Sequence, residues 1–168
     1  MLVMDLVEKG LVTDQVTLTV GYDIENLTDP VRRSRYTGEV VTDFYGRLIP
    51  KHAHGTANFP GKTASTEEII GGVMALYDRI VDKALLVRRI QLSACRLARE
   101  TDVGKGYVQL DLFSDSKAEE KRERERRRQR AVLTIRRKFG KNAIFKGMNL
   151  EEGATAMERN QQIGGHKA

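Results

Sequence analysis

The sequence has one cysteine, Cys95, and three histidines in 168 residues. A lone cysteine excludes a disulfide within the chain, and one cysteine with three histidines cannot build the usual structural zinc site. Cys95 falls in an apolar alternation, which predicts a small buried hydrophobe at that position. We therefore expect no disulfide, no metal and no cofactor.

Long apolar runs are also missing, since none approaches the length that spans a membrane. The first ten residues, MLVMDLVEKG, carry acidic side chains among the apolar ones, unlike a secretory signal. These two absences predict a cytoplasmic protein with no membrane partner.

The length suits one domain with a real core plus an extension. Residues 1–113 carry 14 Lys+Arg and 15 Asp+Glu, and residues 114–168 carry 15 and 8, so the net charges are −1 and +7. The basic character therefore belongs to the tail. On charge alone, a nucleic-acid-binding arm and a merely solvated helix or disordered arm are equally good interpretations of it.

Hydrophobic periodicity predicts the main elements of the first part. Apolar residues at helical spacing predict an opening helix that stops at Gly10. An apolar-polar alternation over residues 15–20 predicts a strand, and a second alternation predicts another strand over residues 85–98. Between them, Ser65-Thr66-Glu67-Glu68 is a capping box that begins a second helix.

The segment from Asp23 to Ser65 has weaker signals. We predict a loop, a hairpin around Tyr45-Gly46, and then a strand. That strand would carry four basic or histidine side chains: Lys51, His52, His54 and Lys62. The resulting fold class is α+β, with two helices on one face of a small, mostly antiparallel sheet.

The His-Ala-His pair would place His52 and His54 on one strand face. Metal binding is one interpretation, but no nearby acid or cysteine completes a site, so a basic, hydrogen-bonding surface is favoured. Such a surface would suit phosphate contacts. Arg88 and Arg89, in the later strand, are predicted on opposite faces.

The tail should contain a charged helix from Lys117 to Phe139 that ends at Gly140. Its first half has no apolar face, whereas its second half gains three apolar residues at helical spacing, Val132, Ile135 and Phe139. Residues 151–168 have little to bury and are predicted to be disordered when free.

Between the two parts stands Gln109-Leu110-Asp111-Leu112-Phe113, which resembles the peptide by which bacterial replication and repair proteins bind the sliding clamp. Leu112 and Phe113 would be the apolar anchors. A half-buried edge strand is the alternative, since Val108, Leu110 and Leu112 alternate with polar residues. A glycine-rich lead before the motif and a turn signal after it favour the clamp peptide.

Beyond this motif, the chain resembles the C-terminal part of a bacterial Y-family, lesion-bypass DNA polymerase of the impB/mucB/samB type. The blocks that carry the resemblance are KGLVTDQVTLTVGYDIENL (9–27), PKHAHGTANFPGKTAST (50–66), MALYDRIVDKALLVRRIQLSA (74–94), QLDLF (109–113) and KFGKNAIFKGMNLEEGATAMERNQQIGGHKA (138–168).

The resemblance implies three segments. Residues 1–99 would be a little-finger-like DNA-binding domain, 100–116 a linker with the clamp peptide, and 117–168 a basic helical or disordered tail. DNA would be held by its backbone, without regard to sequence, and the sliding clamp would be the protein partner. The candidate DNA-binding residues are Lys51, His52, His54, Lys62, Arg88 and Arg89.

The chain also departs from the family, because the fingers, palm and thumb are missing, with the palm carboxylates that bind magnesium. The resemblance therefore implies a separate polymerase catalytic part as a further partner. The first strand of the little finger is missing too. We expect its loss to leave an open strand edge beside Val16, Leu18 and Val20, or wherever that strand would pair.

Two other function classes compete with this one. A regulatory protein that occupies the clamp and excludes polymerases would need the clamp peptide but no DNA-binding face. A nuclease using Asp78, Asp82 or His54 is the enzymatic alternative. Surface solubility explains the two aspartates better, so we expect no catalytic residues in this chain.

Overall fold

The computed structural model describes residues 2–103 and 116–161. The chain divides into two compact units, Met1–Gln109 and Leu110–Ala168. The division falls inside the predicted linker of residues 100–116. The predicted clamp peptide, Gln109 to Phe113, lies outside the described residues.

The first unit contains helices and strands in mixed order. They are helix α1 (Leu2–Lys9), strand β1 (Leu11–Tyr22), short helices α2 (Glu25–Thr28) and α3 (Pro30–Arg35), hairpin strands β2 (Val40–Thr42) and β3 (Leu48–Pro50), strand β4 (Ala53–Thr63), helix α4 (Thr66–Ile80), strands β5 (Val87–Cys95) and β6 (Ala98–Arg99), and helix α5 (Glu100–Val103).

Strand β1 is the centre of a four-stranded antiparallel sheet, with β4 on one side and β5 on the other. The short strand β6 pairs with the first two residues of β1. In this register Leu18 lies opposite Gly55 of β4 and Leu92 of β5. The predicted α+β class with a small antiparallel sheet is confirmed.

The core lies on one face of this sheet, where the alternation of β1 places Val16, Leu18 and Val20 at 0–1% exposure. Helix α1 contributes Leu6 and α4 contributes Ile69 to the cluster around Val16. Leu76 of α4 packs near Leu18 and Val20. Both long helices therefore cover the same face, as predicted.

The expected open edge beside Val16, Leu18 and Val20 is wrong. All three residues have pairing partners on both sides, in β4 and in β5. Backbone groups that pair on both sides cannot recruit a further strand. In the described sheet, the outer strands are β4 and β5 instead.

Two short helices replace the loop that was predicted after Asp23. The Asp29 carboxylate accepts hydrogen bonds from the Val31 and Arg32 N–H groups, and Pro30 occupies the first turn of α3. An Asp-Pro pair is typical of a turn, but it is also an N-cap followed by proline at the first helical position. The predicted hairpin is present as β2 and β3.

Three further expectations for the strands need correction. Strand β4 begins at Ala53, so Lys51 and His52 precede the strand and only His54 and Lys62 lie in it. Cys95 is half-buried rather than buried, and it lies opposite Gln15 on the side of the sheet that faces away from the helices. The prediction that Arg88 and Arg89 lie on opposite faces assumed regular alternation, but the register with β1 shifts between Gly21 and Tyr22 and leaves Arg88 without a pairing partner there, while Arg89 lies opposite Gly21.

Helix α4 begins with the cap that the sequence predicted, because Ser65 Oγ accepts a hydrogen bond from the Glu68 N–H at 3.2 Å. We expect Ser65→Ala to lower the free energy of unfolding by about 1 kcal/mol, the usual cost of losing such a cap. Urea unfolding measures this loss. The control is Ser34→Ala, whose hydroxyl donates to the Val31 carbonyl without capping a helix. A Ser65→Ala midpoint equal to that of the control would contradict the prediction.

The second unit is built on helix α6 (Ser116–Phe139), followed by two 3-10 turns (Lys141–Ala143 and Gly147–Leu150) and helix α7 (Ala156–Gln161). Helix α6 matches the predicted charged helix, and Gly140 follows it with φ of 91°. Phe139, however, is 67% exposed, so it does not join Leu133 on the buried side of α6.

Helix α7 contradicts the expectation of disorder for its six residues. The Asn160 side chain donates to Asn142 Oδ1 at 2.8 Å, and Asn142 Nδ2 donates to the Met157 carbonyl. Polar side chains make these contacts, which a search for apolar burial misses.

Across residues 2–103 and 116–161, no helix is both long and apolar enough to cross a membrane.

Candidate nucleic-acid interface

The sheet has a second face, opposite α1 and α4, that is made of polar side chains. Its rows come from alternate residues of three paired strands, and we call it the polar face. Its members are Gln15, Thr17 and Thr19 of β1, His54, Thr56 and Asn58 of β4, and Arg89, Gln91 and Ser93 of β5.

The polar face follows from the alternation that builds the core. In an extended strand successive side chains point to opposite faces, so the apolar residues of β1 that enter the core leave its threonines on the other side. The antiparallel register then sets Thr17 beside Thr56 and Ser93. On the outer strands His54, Asn58, Arg89 and Gln91 are exposed.

Hydrogen bonds between side chains order these rows. Gln15 Nε2 donates to Asn58 Oδ1 at 2.9 Å, and Thr19 Oγ1 and His54 Nδ1 are 2.8 Å apart. Arg89 Nη2 donates to Gln91 Oε1 at 3.0 Å. Hydrogen bonds therefore fix the positions of several donors and acceptors on this face. Groups of this kind can contact phosphate and sugar oxygens without reading bases.

Of the six candidate DNA-binding residues, the structure brings His54 and Arg89 together at one end of the polar face. They lie opposite Thr19 and Gly21, two residues apart on the central strand. The contact between Thr19 and His54 uses Nδ1, so Nε2 remains for a ligand.

Three of the other candidates are in ion pairs. Lys51 Nζ is 2.6 Å from Glu39, Lys62 Nζ is 3.0 Å from Asp14, and Arg88 Nη1 is 3.9 Å from Asp23. Each neighbouring carboxylate cancels part of the field that would attract a phosphate. Such partly exposed pairs are individually weak, so a phosphate can compete for these cations.

In the described residues, the candidate catalytic side chains His54, Asp78 and Asp82 do not lie together. His54 faces away from the helices, whereas Asp78 and Asp82 belong to α4 and the turn after it, on the opposite side of the sheet. Asp78 pairs with Lys83 at 2.6 Å, and Asp82 Oδ1 accepts from the Ala84 N–H. Over those parts of the chain, no group of three or more His, Cys, Asp or Glu side chains could hold a metal ion.

Within residues 2–103 and 116–161, the two most exposed aromatic residues are ones that the sequence did not single out. Phe44 is 97% exposed and Tyr45 is 77% exposed, at the tip of the β2–β3 hairpin. We call these two residues the aromatic tip. The available signal was two adjacent aromatic residues, Phe44 and Tyr45, in the hairpin predicted around Tyr45-Gly46, because turns favour Asp, Asn, Gly and Pro.

A depression of about 370 Å³ lies between the short helices α2 and α3 and the hairpin. Its lining is mainly apolar but includes two arginines: it is formed by Ile24, Leu27, Thr28, Arg33, Val40, Arg47 and Leu48. Helices α2 and α3 and the hairpin thus form one surface region.

Comparison of the chain with protein-family models, with curated proteins and with solved structures finds no match. The resemblance to lesion-bypass polymerases accordingly stays a prediction from the sequence.

Proposed function

We propose that this chain is a DNA-binding and sliding-clamp-tethering module that acts in bacterial lesion-bypass synthesis and DNA repair, like the C-terminal part of a Y-family polymerase. The observation that carries the DNA-binding half is the open polar face, with His54 and Arg89 at one end. The clamp-binding half depends on the QLDLF motif.

The polar face supports a backbone-directed mode of binding. Hydroxyl, amide and imidazole groups can bond to phosphate and sugar oxygens, and these contacts position a duplex without selecting its sequence. The face carries few unpaired cations, and residues 1–113 have a net charge of −1. DNA binding by this unit should therefore be weak, and tethering to a clamp would raise its effective concentration at the template.

The clamp peptide would supply that tether. Its two adjacent apolar anchors suit a cleft on the clamp, while a short extended peptide needs little other surface. A separate polymerase part would provide nucleotidyl transfer and its magnesium ions. Under this proposal the protein acts in the cytoplasm, where DNA and the clamp are found.

We expect DNA binding to be sequence-tolerant and steeply salt-dependent, with most of the phosphate contacts made by the basic tail. Deleting residues 114–168 should then lower the log-log salt slope by several units, since each phosphate contact contributes about 0.9 on duplex DNA. Fluorescence anisotropy with a labelled duplex at a series of salt concentrations measures the slope. Because residues 1–109 form their own compact unit, the shortened chain keeps the sheet.

If the salt slope is unchanged by the deletion, the phosphate contacts lie on the sheet instead. Arg89→Gln, on the polar face, should then reduce it, whereas Arg79→Gln, an exposed residue of α4, should not. No binding by either chain at low salt would contradict DNA binding itself. If the clamp were still bound, the regulatory clamp-occupying function would be favoured.

A further inference from the structure

The hairpin of β2 and β3 presents two large aromatic rings to solvent at its tip. Their centroids are 5.5 Å apart and their planes meet at 85°, so the rings meet edge to face and do not stack on each other. Burying such rings is normally a main source of stability. Exposure of both at one turn indicates that they serve a contact outside the unit.

The turn that holds the rings is tightly bonded. The Gly46 N–H donates to the Asp43 carbonyl at 3.0 Å, and the Asp43 N–H donates to the Arg47 carbonyl at 2.8 Å. Gly46 has φ of 76°, the left-handed conformation that closes a three-residue hairpin loop. The Asp43 carboxylate also accepts from the Tyr45 and Arg47 N–H groups, each at 2.9 Å.

Arg47 adds a guanidinium to the tip, and its ion pair with Asp43 balances its charge there. Its guanidinium lies 5.1 Å from the centre of the Tyr45 ring and donates to Asp43 Oδ2 through both Nε and Nη2. These side-chain hydrogen bonds lower the pKa of the Asp43 carboxyl, so the carboxylate stays ionised, and can keep accepting them, in more acidic solution than a free aspartate would. The backbone of the turn is thus ordered before any ligand arrives, and Arg47 contacts the Tyr45 ring, which reduces the ordering cost of binding.

The surroundings of the tip favour a polyanion. Residues 30–51 hold five Lys+Arg and two Asp+Glu, although residues 1–113 as a whole are slightly acidic. The hairpin also joins the sheet at the end of β4 where His54 lies. Exposed aromatic rings beside a cationic surface are the combination that binds single-stranded nucleic acid, where bases stack on the rings and cations follow the phosphates.

We propose that the aromatic tip is a stacking site for unpaired bases of single-stranded DNA, with Phe44 as the main platform and Tyr45 and Arg47 beside it. The proposal deepens the DNA-binding function proposed above and depends on it. It assigns the duplex to the polar face or tail and unpaired bases to the hairpin.

The test uses the absence of tryptophan from the chain. Phe44→Trp places the single tryptophan of the full-length protein on the tip, where it can be excited selectively over tyrosine, and Leu97→Trp places one at a half-exposed site near the opposite end of β1. Each variant is titrated with oligothymidylate of about twelve nucleotides, the size range of single-strand sites. A single strand of equal length with abasic sugars and a duplex of equal length are titrated in parallel.

We expect oligothymidylate to quench Phe44→Trp saturably, the abasic strand to quench it little, and Leu97→Trp to remain unchanged. The double variant Phe44→Ala with Tyr45→Ala should weaken oligothymidylate binding about ten-fold or more, as lost stacking does, and leave duplex affinity unchanged. Val31→Ala with Leu48→Ala, which removes two 60% exposed aliphatic side chains, should leave both affinities unchanged.

Three results would overturn the stacking site. They are equal quenching by abasic and thymidylate strands, equal oligothymidylate affinity of the double variant and wild type, and quenching by sliding clamp but not by DNA. If the duplex still binds in any of these cases, DNA binding stands and only the stacking site fails. A chain that binds neither duplex nor single strand would reject both proposals together.

Discussion

Replacing Leu112 and Phe113 together by alanine is expected to abolish clamp binding at micromolar concentrations. We expect a lone peptide of this size to bind with about micromolar affinity, near −8 kcal/mol. Each buried anchor of a small interface contributes about 2 kcal/mol or more, so losing both should weaken binding about a thousand-fold. Titration calorimetry of purified clamp with the wild-type chain and the double variant measures the difference.

A matched control removes two exposed apolar side chains elsewhere. Met148 and Leu150 are 65% and 71% exposed in the second unit, and their joint replacement by alanine should leave clamp affinity unchanged. Equal affinities of wild type and the Leu112→Ala, Phe113→Ala chain would reject the clamp peptide. In that case the edge-strand interpretation of residues 108–112 would be favoured.

The second large effect is expected at Asn26, a fully buried residue of α2. Its Nδ2 donates to the carbonyls of Asp23 and Leu86, and its Oδ1 accepts from the Leu86 N–H, each at 2.9 Å. Asn26→Asp keeps the shape but turns the donor into an acceptor that faces two carbonyl oxygens. We expect a loss of about 3–5 kcal/mol of unfolding free energy, much of the roughly 5–15 kcal/mol of such a domain.

The pH dependence of this loss of stability identifies its cause. Burial raises the pKa of a carboxyl group, and so do the two carbonyl oxygens that face the new carboxylate oxygen. The folded variant then binds a proton more tightly than the unfolded chain, so its deficit relative to wild type should shrink as the pH falls. Urea unfolding of both chains between neutral and acidic pH measures the deficit.

Asn58→Asp is the control for the Asn26 experiment. Asn58 is exposed on the polar face and uses its oxygen as an acceptor from Gln15, which aspartate also provides. Its stability should change by less than about 0.5 kcal/mol, as at ordinary surface sites. An Asn26→Asp deficit as small as this, or one that does not vary with pH, would show that the site relaxes around the new carboxylate.

Local features of the chain were enough to predict several elements correctly. The alternation of β1 depends only on neighbouring residues, and it assigned Val16, Leu18 and Val20 to the core. The Ser65 cap and the left-handed Gly10 and Gly140 act within one helical turn. Interactions of such short range are visible in the sequence because both partners lie within a few residues of each other.

The clamp motif and the charge asymmetry between the two parts are likewise properties of the sequence alone. Partners that are distant in the chain were decided only by the tertiary structure. Lys62 meets Asp14, and Arg88 meets Asp23, because the sheet register sets β4 and β5 beside β1. The same register gathers His54 and Arg89 on one face and closes both sides of β1. No spacing rule along the chain contains this information, since register depends on how whole strands bury their apolar faces against the helices.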